Sequence, residues 1–284
     1  MVITASAALS QAELQQCADS VEFWWHSIDL GQGVVTRGEK TPEILAQELR
    51  SLSLPDLAGR SVLDIGAYDG FYSFATERLG AQRVVALDKY VWSIDLPRAI
   101  EQWRACKASG TVPLPVEETP LWQPEQLPGK RAFDTAHRAL GSRVEVVVGD
   151  FMTMDLVPLD AFDVTLFMGV LYHMRDPLGS LTRLASVTRN LAVIETHAVE
   201  IPGYEHLELG QFYSSNQLNA DSSNWWGFNV CALVGMCRAA GFSRVELVGS
   251  PAGVQGTARR AASRIRAFVR RQPRHFRAVL HAWR

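Results

Sequence analysis

Five short apolar runs, each closing on glycine or a polar residue and separated by helical or irregular stretches, constrain this chain more than any other feature. They are Ser61–Ile65, Arg83–Leu87 ending in Asp88, Val144–Val148 ending in Gly149-Asp150, Phe162–Met168 ending in Gly169, and Leu191–Thr196. A strand buried on both faces shows no polar alternation, so apolar runs interleaved with helices predict an α/β fold: a mostly parallel sheet with helices on both faces. Phe71–Leu79 reads as a helix stopped by Gly80, Thr41-Pro42-Glu43 opens another running to about Leu52, and Asn229–Ala240 is a third, stopped by Gly241. A sixth strand is expected at Val245–Val248 and a closing antiparallel one at Phe276–Trp283. Ala108–Lys130, with five prolines, reads as an irregular insertion, and Ala198–Asn224 as loop-rich. With 284 residues, 47% of them hydrophobic, the chain is long enough for one such sheet with decorations. The expected division is an N-terminal helical or lid segment over 1–58, the sheet domain over 59–250, and a basic helix plus closing strand of the same sheet over 251–284.

Charge is unevenly spread. The whole chain carries a formal −2, yet its last 34 residues hold nine arginines and no Asp, Glu or Lys, so the preceding body carries eleven net negative charges. On a helical projection Ala258, Ala261, Ala262, Ile265, Phe268 and Val269 fall opposite Arg259, Arg260, Arg264, Arg266, Arg270 and Arg271, a basic amphipathic helix. Such a helix suits an anionic membrane surface, an RNA backbone or an acidic substrate, and equally a solvated face packed on the sheet. Cys17, Cys106, Cys231 and Cys237 fit neither a ligand pair nor a disulfide framework and read as free thiols. The N-terminus lacks the basic residues of a secretory signal, and no uncharged apolar run reaches the roughly 18 to 20 residues of a membrane span. A soluble, cytoplasmic protein is expected, of open oligomeric state.

In open α/β sheets small ligands bind at the carboxyl ends of the strands, so the polar strand ends define the candidate site. Ser61–Ile65 feeds Gly66-Ala67-Tyr68-Asp69-Gly70 and then a helix, a turn in which glycine lets the backbone approach a dinucleotide or nucleoside ligand. The spacing is not G-x-G-x-x-G, and a simple tight turn explains it as well. Asp88, ending the second strand, adds a carboxylate suited to the two hydroxyls of a ribose.

Val62-Leu63-Asp64-Ile65-Gly66-Ala67-Tyr68-Asp69-Gly70, followed by Leu87-Asp88, Gly149-Asp150 and Phe162-Asp163-Val164, resembles the class I S-adenosylmethionine-dependent methyltransferases. Phe167-Met168-Gly169-Val170-Leu171-Tyr172-His173, continuing into Arg175-Asp176-Pro177-Leu178, resembles the branch containing the enzymes that modify the hydroxylated wobble uridine of tRNA. The resemblance covers about Phe23 to Val248 and implies a Rossmann-like, seven-stranded sheet with S-adenosylmethionine as cofactor. It departs at Tyr68, where the family's loop has its second glycine. It further implies that Asp64 and Gly66, with Gly70 in the same loop, hold the methionine end of the cofactor and Asp88 its ribose. Asp150 and Phe151 would meet the adenine, and Met168 and Gly169 line the sulfonium. Asp150 has a second reading, as a cap before Met152.

Methyl transfer needs an aligned acceptor oxygen and, for a poor nucleophile, a base. His173 suits that role, with Tyr172 beside it; the plainer reading has His173 capping its loop and Tyr172 packing over the cofactor. Glu195 and His197 share one strand face. Asn219, Trp225 and Trp226, in a stretch rich in amides and hydroxyls, and His26 and Arg37 near Phe23-Trp24-Trp25, are candidates to bind the acceptor, the tryptophans having an alternative place in the core. No metal-ligand spacing is present. Three readings follow. The first is O-methylation of a hydroxyl on a small molecule, sugar, glycolipid or secondary metabolite. The second is modification of the tRNA wobble uridine. The third is a non-catalytic cofactor-binding protein, which Tyr68 keeps open. The tRNA enzymes that use a carboxylated cofactor have a lysine-rich stretch before the first strand, with no match around Leu30–Arg37, so ordinary S-adenosylmethionine is expected.

Overall fold

The computed structural model describes residues 9–219, 221–249 and 273–284. At its centre lies β1 (Ser61–Ile65), whose Val62, Leu63 and Ile65 are at most 1% exposed. Both faces of this strand are covered, which explains its unbroken apolar run. β1 pairs in parallel with β2 (Arg83–Asp88) on one side and β4 (Phe162–Met168) on the other, while β3 (Glu145–Val148) extends the sheet beyond β2. β5 (Thr188–Glu200) follows β4 in parallel. Two short strands, β6 (Gly210–Phe212) and β7 (Trp226–Phe228), form a hairpin that joins the sheet through one β7 pairing to β5, at Ala198. β8 (Arg244–Gly249) and β9 (Arg274–Trp283) complete it, with β9 lying antiparallel between β5 and β8. The main order is therefore β3-β2-β1-β4-β5-β9-β8, the seven strands expected, with only β9 reversed.

Helices cover both faces. α1 (Gln11–Asp19), α2 (Pro42–Leu52), α3 (Phe71–Arg78) and α5 (Arg131–Ala139) send Leu14, Leu52, Phe74 and Phe133 into one apolar cluster with Val62, Val84 and Val164. α6 (Pro177–Ser186) and α7 (Val230–Ala239) send Leu181, Leu184 and Leu233 into the opposite cluster with Leu63, Val85 and Phe167. Successive residues of β1 thus enter opposite layers, as strand geometry requires. α4 (Leu96–Ser109) packs through Leu96 and Ala99 on a third, smaller cluster that includes Val116.

Several boundaries differ from expectation. α1, α4 and α5 were not anticipated, and the irregular insertion starts at Gly110, because Ala108 and Ser109 still belong to α4. Residues 9–58 combine α1 and α2 with short strands, of which Trp24–His26 pairs with Gly38–Lys40. The closing strand starts at Arg274, and β5 begins earlier and runs on to Glu200, where a loop was expected. That overrun is held by β9, whose Arg274–Ala278 pair with Glu200–Thr196. The basic amphipathic helix expected around Ala258–Arg271, and with it the membrane and RNA contacts assigned to it, lies outside the described residues. Among the described residues no helix is long and apolar enough to cross a membrane.

Candidate active site

The parallel register brings the predicted strand ends together. Ile65 pairs with Leu87 of β2 and with Phe167 of β4, so Asp88 and Met168-Gly169 emerge at the same edge of the sheet on either side of the Gly66–Gly70 turn. Gly66 and Gly70 adopt φ of +77° and +88°, in the left-handed region that favours glycine. A Cβ at Gly70 would also lie 2.4 Å from Phe74 and 2.8 Å from Phe133, so this glycine lets α3 start against the apolar layer. Tyr68 adopts φ +55° without being glycine. Its N–H donates to Asp88 Oδ2 at 3.0 Å, and its carbonyl accepts from the Trp92 indole at 2.6 Å. Two anchored backbone groups hold a conformation that costs a non-glycine residue about 1–2 kcal/mol.

Asp64 and Asp88 are both buried carboxylates at this edge. Burial pushes the pKa of Asp64 up to about 7, against a hydrogen bond from Ser73 Oγ at 2.6 Å. Burial likewise raises Asp88 to about 6, opposed by backbone N–H groups that include Tyr68 and Val91. Asp64 Oδ1 is buried with no partner among the described residues. A buried polar oxygen left unpaired by the chain is a place for a ligand or a water to bond.

On the other side of Gly169 the overrunning β5 builds a wall. Glu195 and His197 share a face with His275 and Arg277 of the neighbouring β9. Arg277 donates from both Nε and Nη2 to the two oxygens of Glu195, and its guanidinium lies 4.8 Å from the centre of the Tyr172 ring. Burial works against the Arg277 cation, but Tyr172 and Glu195 outweigh it and hold its pKa above the usual value. His197 Nε2 lies 3.0 Å from Tyr213 Oη and 3.3 Å from His275 Nδ1, and the two imidazoles stack. Burial, reinforced by His275 and Arg277, lowers His197 to about 3, so this pair is neutral at physiological pH. A Cβ on Gly169 would approach Arg277 Nη2 at 3.5 Å and Tyr172 Oη at 3.6 Å, which sets this wall beside the Gly169 turn.

The β6–β7 hairpin and the loop between its strands form the roof. Trp225 N–H donates to the Tyr172 carbonyl at 2.9 Å, and the Trp225 ring lies under Arg175, 4.3 Å away. Phe212 packs on Trp226, which stacks on Phe228. Asn224 Oδ1 and Trp226 Nε1 are buried without partners among the described residues.

Residues 37–247 match the family described as Methyltransferase domain. The chain belongs to this methyltransferase family. It is similar to the tRNA U34 carboxymethyltransferases of Shewanella amazonensis, 32% identical over 52% of this chain and 34% of the relative, and Shewanella baltica, 27% identical over 68% and 46%. It therefore spans less than half the length of these curated relatives. Among solved structures, the N-terminal domain of EvdMO1 with SAH bound superimposes with a TM-score of 0.60 at 17% identity, covering 99% of both chains. The same domain, determined in the presence of SAH and D-fucose, gives 0.57 at 18% identity and the same coverage.

The methyltransferase is of class I, S-adenosylmethionine-dependent, with the Rossmann-like sheet of that class. Its strand-end residues fit that cofactor: Asp88 ends β2, and the unpaired Asp64 oxygen lies in β1 just before the Gly66–Gly70 turn. The remaining predicted residues divide. Met168, Gly169, Tyr172, His173, Glu195 and His197 lie at one edge, where Trp225 bonds to Tyr172, while Trp226 packs between Phe212 and Phe228. His26 is instead committed to Asp69, its Nδ1 lying 2.5 Å from Asp69 Oδ1, and it stacks on Phe71. Arg37 and Asn219 are exposed. The Asp150 carboxylate accepts from Met152 N–H and Thr153 Oγ, the capping arrangement, and Phe151 is buried against Phe167. Sequence reasoning missed Arg277, His275 and Tyr213. The first two were visible as polar residues alternating within or next to the closing strand, but only its pairing with Glu195 and His197 gives them a place.

Proposed function

We propose that this methyltransferase transfers a methyl group to a hydroxyl oxygen of a neutral, hydroxyl-rich small molecule, a sugar being the best fit. One observation carries the reading: the charges of the wall are paired within the protein. Arg277 is neutralised by Glu195, and the stacked His197 and His275 both have lowered pKa values, chiefly through burial. Such a wall offers donors and acceptors without net charge, and the unpartnered Asn224 and Trp226 atoms add one of each. Paired aromatics over polar groups suit the apolar face of a sugar ring. The structural neighbour determined in the presence of D-fucose supplies a precedent of fold.

In this reading Asp88 holds the ribose of the donor, and Asp64, Gly66 and Gly70 its methionine end. Met168 and Gly169 line the sulfur, while Phe151 and Asp150 bound the adenine side. When bound, S-adenosylmethionine supplies a methyl on a sulfonium, the acceptor oxygen's pair forming the new C–O bond while the C–S pair returns to sulfur. His173 takes the hydroxyl proton on Nε2, and Tyr172, pinned by Arg277 across its ring, closes the space around the transfer. Glu195, His197, Trp225 and Trp226 contact the acceptor. Incubating the protein with methyl-labelled donor and a fractionated extract tests this: label in a base-stable methyl ether of a small molecule is expected, and label confined to RNA overturns it.

The second reading, modification of the tRNA wobble uridine, is favoured by the identity to the tRNA U34 carboxymethyltransferases. It requires binding to bulk tRNA that falls steeply with salt.

A further inference from the structure

His173 enters the site with its tautomer already chosen. Its Nδ1 lies 3.1 Å from the Ser223 carbonyl oxygen and 3.0 Å from Ser223 Oγ. A carbonyl oxygen only accepts, so Nδ1 carries the hydrogen and Nε2 keeps its lone pair. Ser223 Oγ in turn donates to Asp221 Oδ1 at 2.7 Å, and Ser223 N–H donates to the same oxygen at 2.8 Å. The hydroxyl hydrogen is thereby committed to the carboxylate, which leaves Oγ free to accept from the imidazole. The hydrogen bond from Trp225 N–H to Tyr172 ties this loop to the turn that carries His173.

We propose that Asp221 and Ser223 are positioning residues that hold His173 as an Nε2 base and stabilise the imidazolium formed when it takes the acceptor's proton. The inference rests on the reading of His173 as the base. In the step, the proton leaves the acceptor oxygen for Nε2, the Ser223 hydroxyl keeps its own hydrogen, and Asp221 stays ionised. Four influences act on the imidazole. Burial disfavours its charge and Arg277, reaching in from β9 while paired with Glu195, does the same; Asp221, from the loop between β6 and β7, and the hydrogen bond to the Ser223 carbonyl oppose both. Without Asp221 only the Ser223 carbonyl is left to favour the imidazolium, and the base weakens. The carboxylate and hydroxyl therefore do for His173 what an orienting acid does in other base-assisted sites, although neither touches the acceptor.

Nuclear magnetic resonance of the full chain labelled with 15N-histidine tests this, the His173 signal being assigned by its disappearance in His173→Gln. The expected result is the Nδ1–H tautomer, with a titration that moves down by about one pH unit in Asp221→Asn. Ser223→Ala is expected to move it similarly and to mix the two tautomers, and Ser223→Thr to restore the native signal. An Nε2–H tautomer, or a titration unchanged in Asp221→Asn, overturns the proposal. Calorimetric affinity for S-adenosylhomocysteine is expected to stay within about threefold of wild type in Asp221→Asn, which separates a local change from misfolding. If His173→Gln transfers methyl at the wild-type rate, the base reading fails while the tautomer result still stands, so the two failures are distinguishable.

Discussion

The donor side of the site is fastened by residues close in sequence, and the acceptor side by residues far apart. Ser73 reaches Asp64 across 9 positions, Tyr68 reaches Asp88 across 20 and Trp92 reaches Tyr68 across 24. Arg277 reaches Glu195 across 82, His275 reaches His197 across 78 and His173 reaches Ser223 across 50. The first set is fixed once one strand–turn–helix unit and its neighbour form. The second requires β9 to find β5 and the roof hairpin to settle on their projecting ends. One side can therefore be altered without the other, and the contrast is open to direct attack.

The largest expected effect comes from exchanging damage between the two sides. Asp88→Ala removes the proposed ribose partner and the carboxylate that holds Tyr68 and Val91 N–H, so affinity for S-adenosylhomocysteine is expected to fall by about thirtyfold, or ~2 kcal/mol. Glu195→Gln leaves Arg277 without its countercharge in a half-buried setting and is expected to lower unfolding stability by ~1–2 kcal/mol with donor affinity nearly unchanged. Calorimetry and chemical denaturation of both variants decide the matter. Equal loss of donor affinity in the two would mean that the sides are not independent.

The same division explains what the sequence made legible. Strands β1, β2 and β4, the Gly66–Gly70 turn and Asp88 are local patterns, and each lies within about one residue of where periodicity put it. A loop was expected from Ala198 on, yet Ala198–Glu200 still sit in β5, paired with β9. A strand end held by a distant partner carries little local signal, since its propensity is overridden by pairing. His26 and Arg37 are placed differently. An aromatic, histidine-bearing segment looks like a lid, but the buried Asp69 carboxylate holds His26 through its backbone N–H and its ring, and Arg37 is exposed. Asp150 and His173 each carried two readings from the start. The capping contacts at Asp150 belong to its turn, whereas the Nδ1 bonds of His173 cap its loop and still leave Nε2 available.

A smaller effect sharpens the donor side. Tyr68 occupies a left-handed position that favours glycine, so Tyr68→Gly and Tyr68→Ala both lose the ring while only alanine keeps the backbone strain. The glycine variant is expected to be more stable than the alanine variant by ~1 kcal/mol in denaturant titrations. Equal stabilities would show that the anchors from Asp88 and Trp92 relieve the strain fully.

The pH dependence of stability separates the two sides by sign. Asp64 has its pKa raised from 3.8 to about 7 by burial, so between those values the folded protein holds more protons than the unfolded chain and stability falls as pH rises. Asp88, raised to about 6, acts in the same direction over a narrower window. His197 behaves oppositely. Burial lowers it from 6.5 to about 3, the unfolded chain holds the extra proton between those values, and stability rises with pH. Each group contributes at most about 1.4 kcal/mol per pH unit, so between pH 4 and 6 the two donor-side acids together outweigh His197. Asp64→Asn is therefore expected to tilt the stability profile upward with pH, relative to wild type, between 4 and 6.5, and His197→Gln to tilt it downward over the same range. Denaturation midpoints at half-unit steps would reveal the crossing. If both variants tilt the profile the same way, the donor-side acids do not enter the fold protonated, and the unpaired Asp64 oxygen loses its standing as the mark of the donor site.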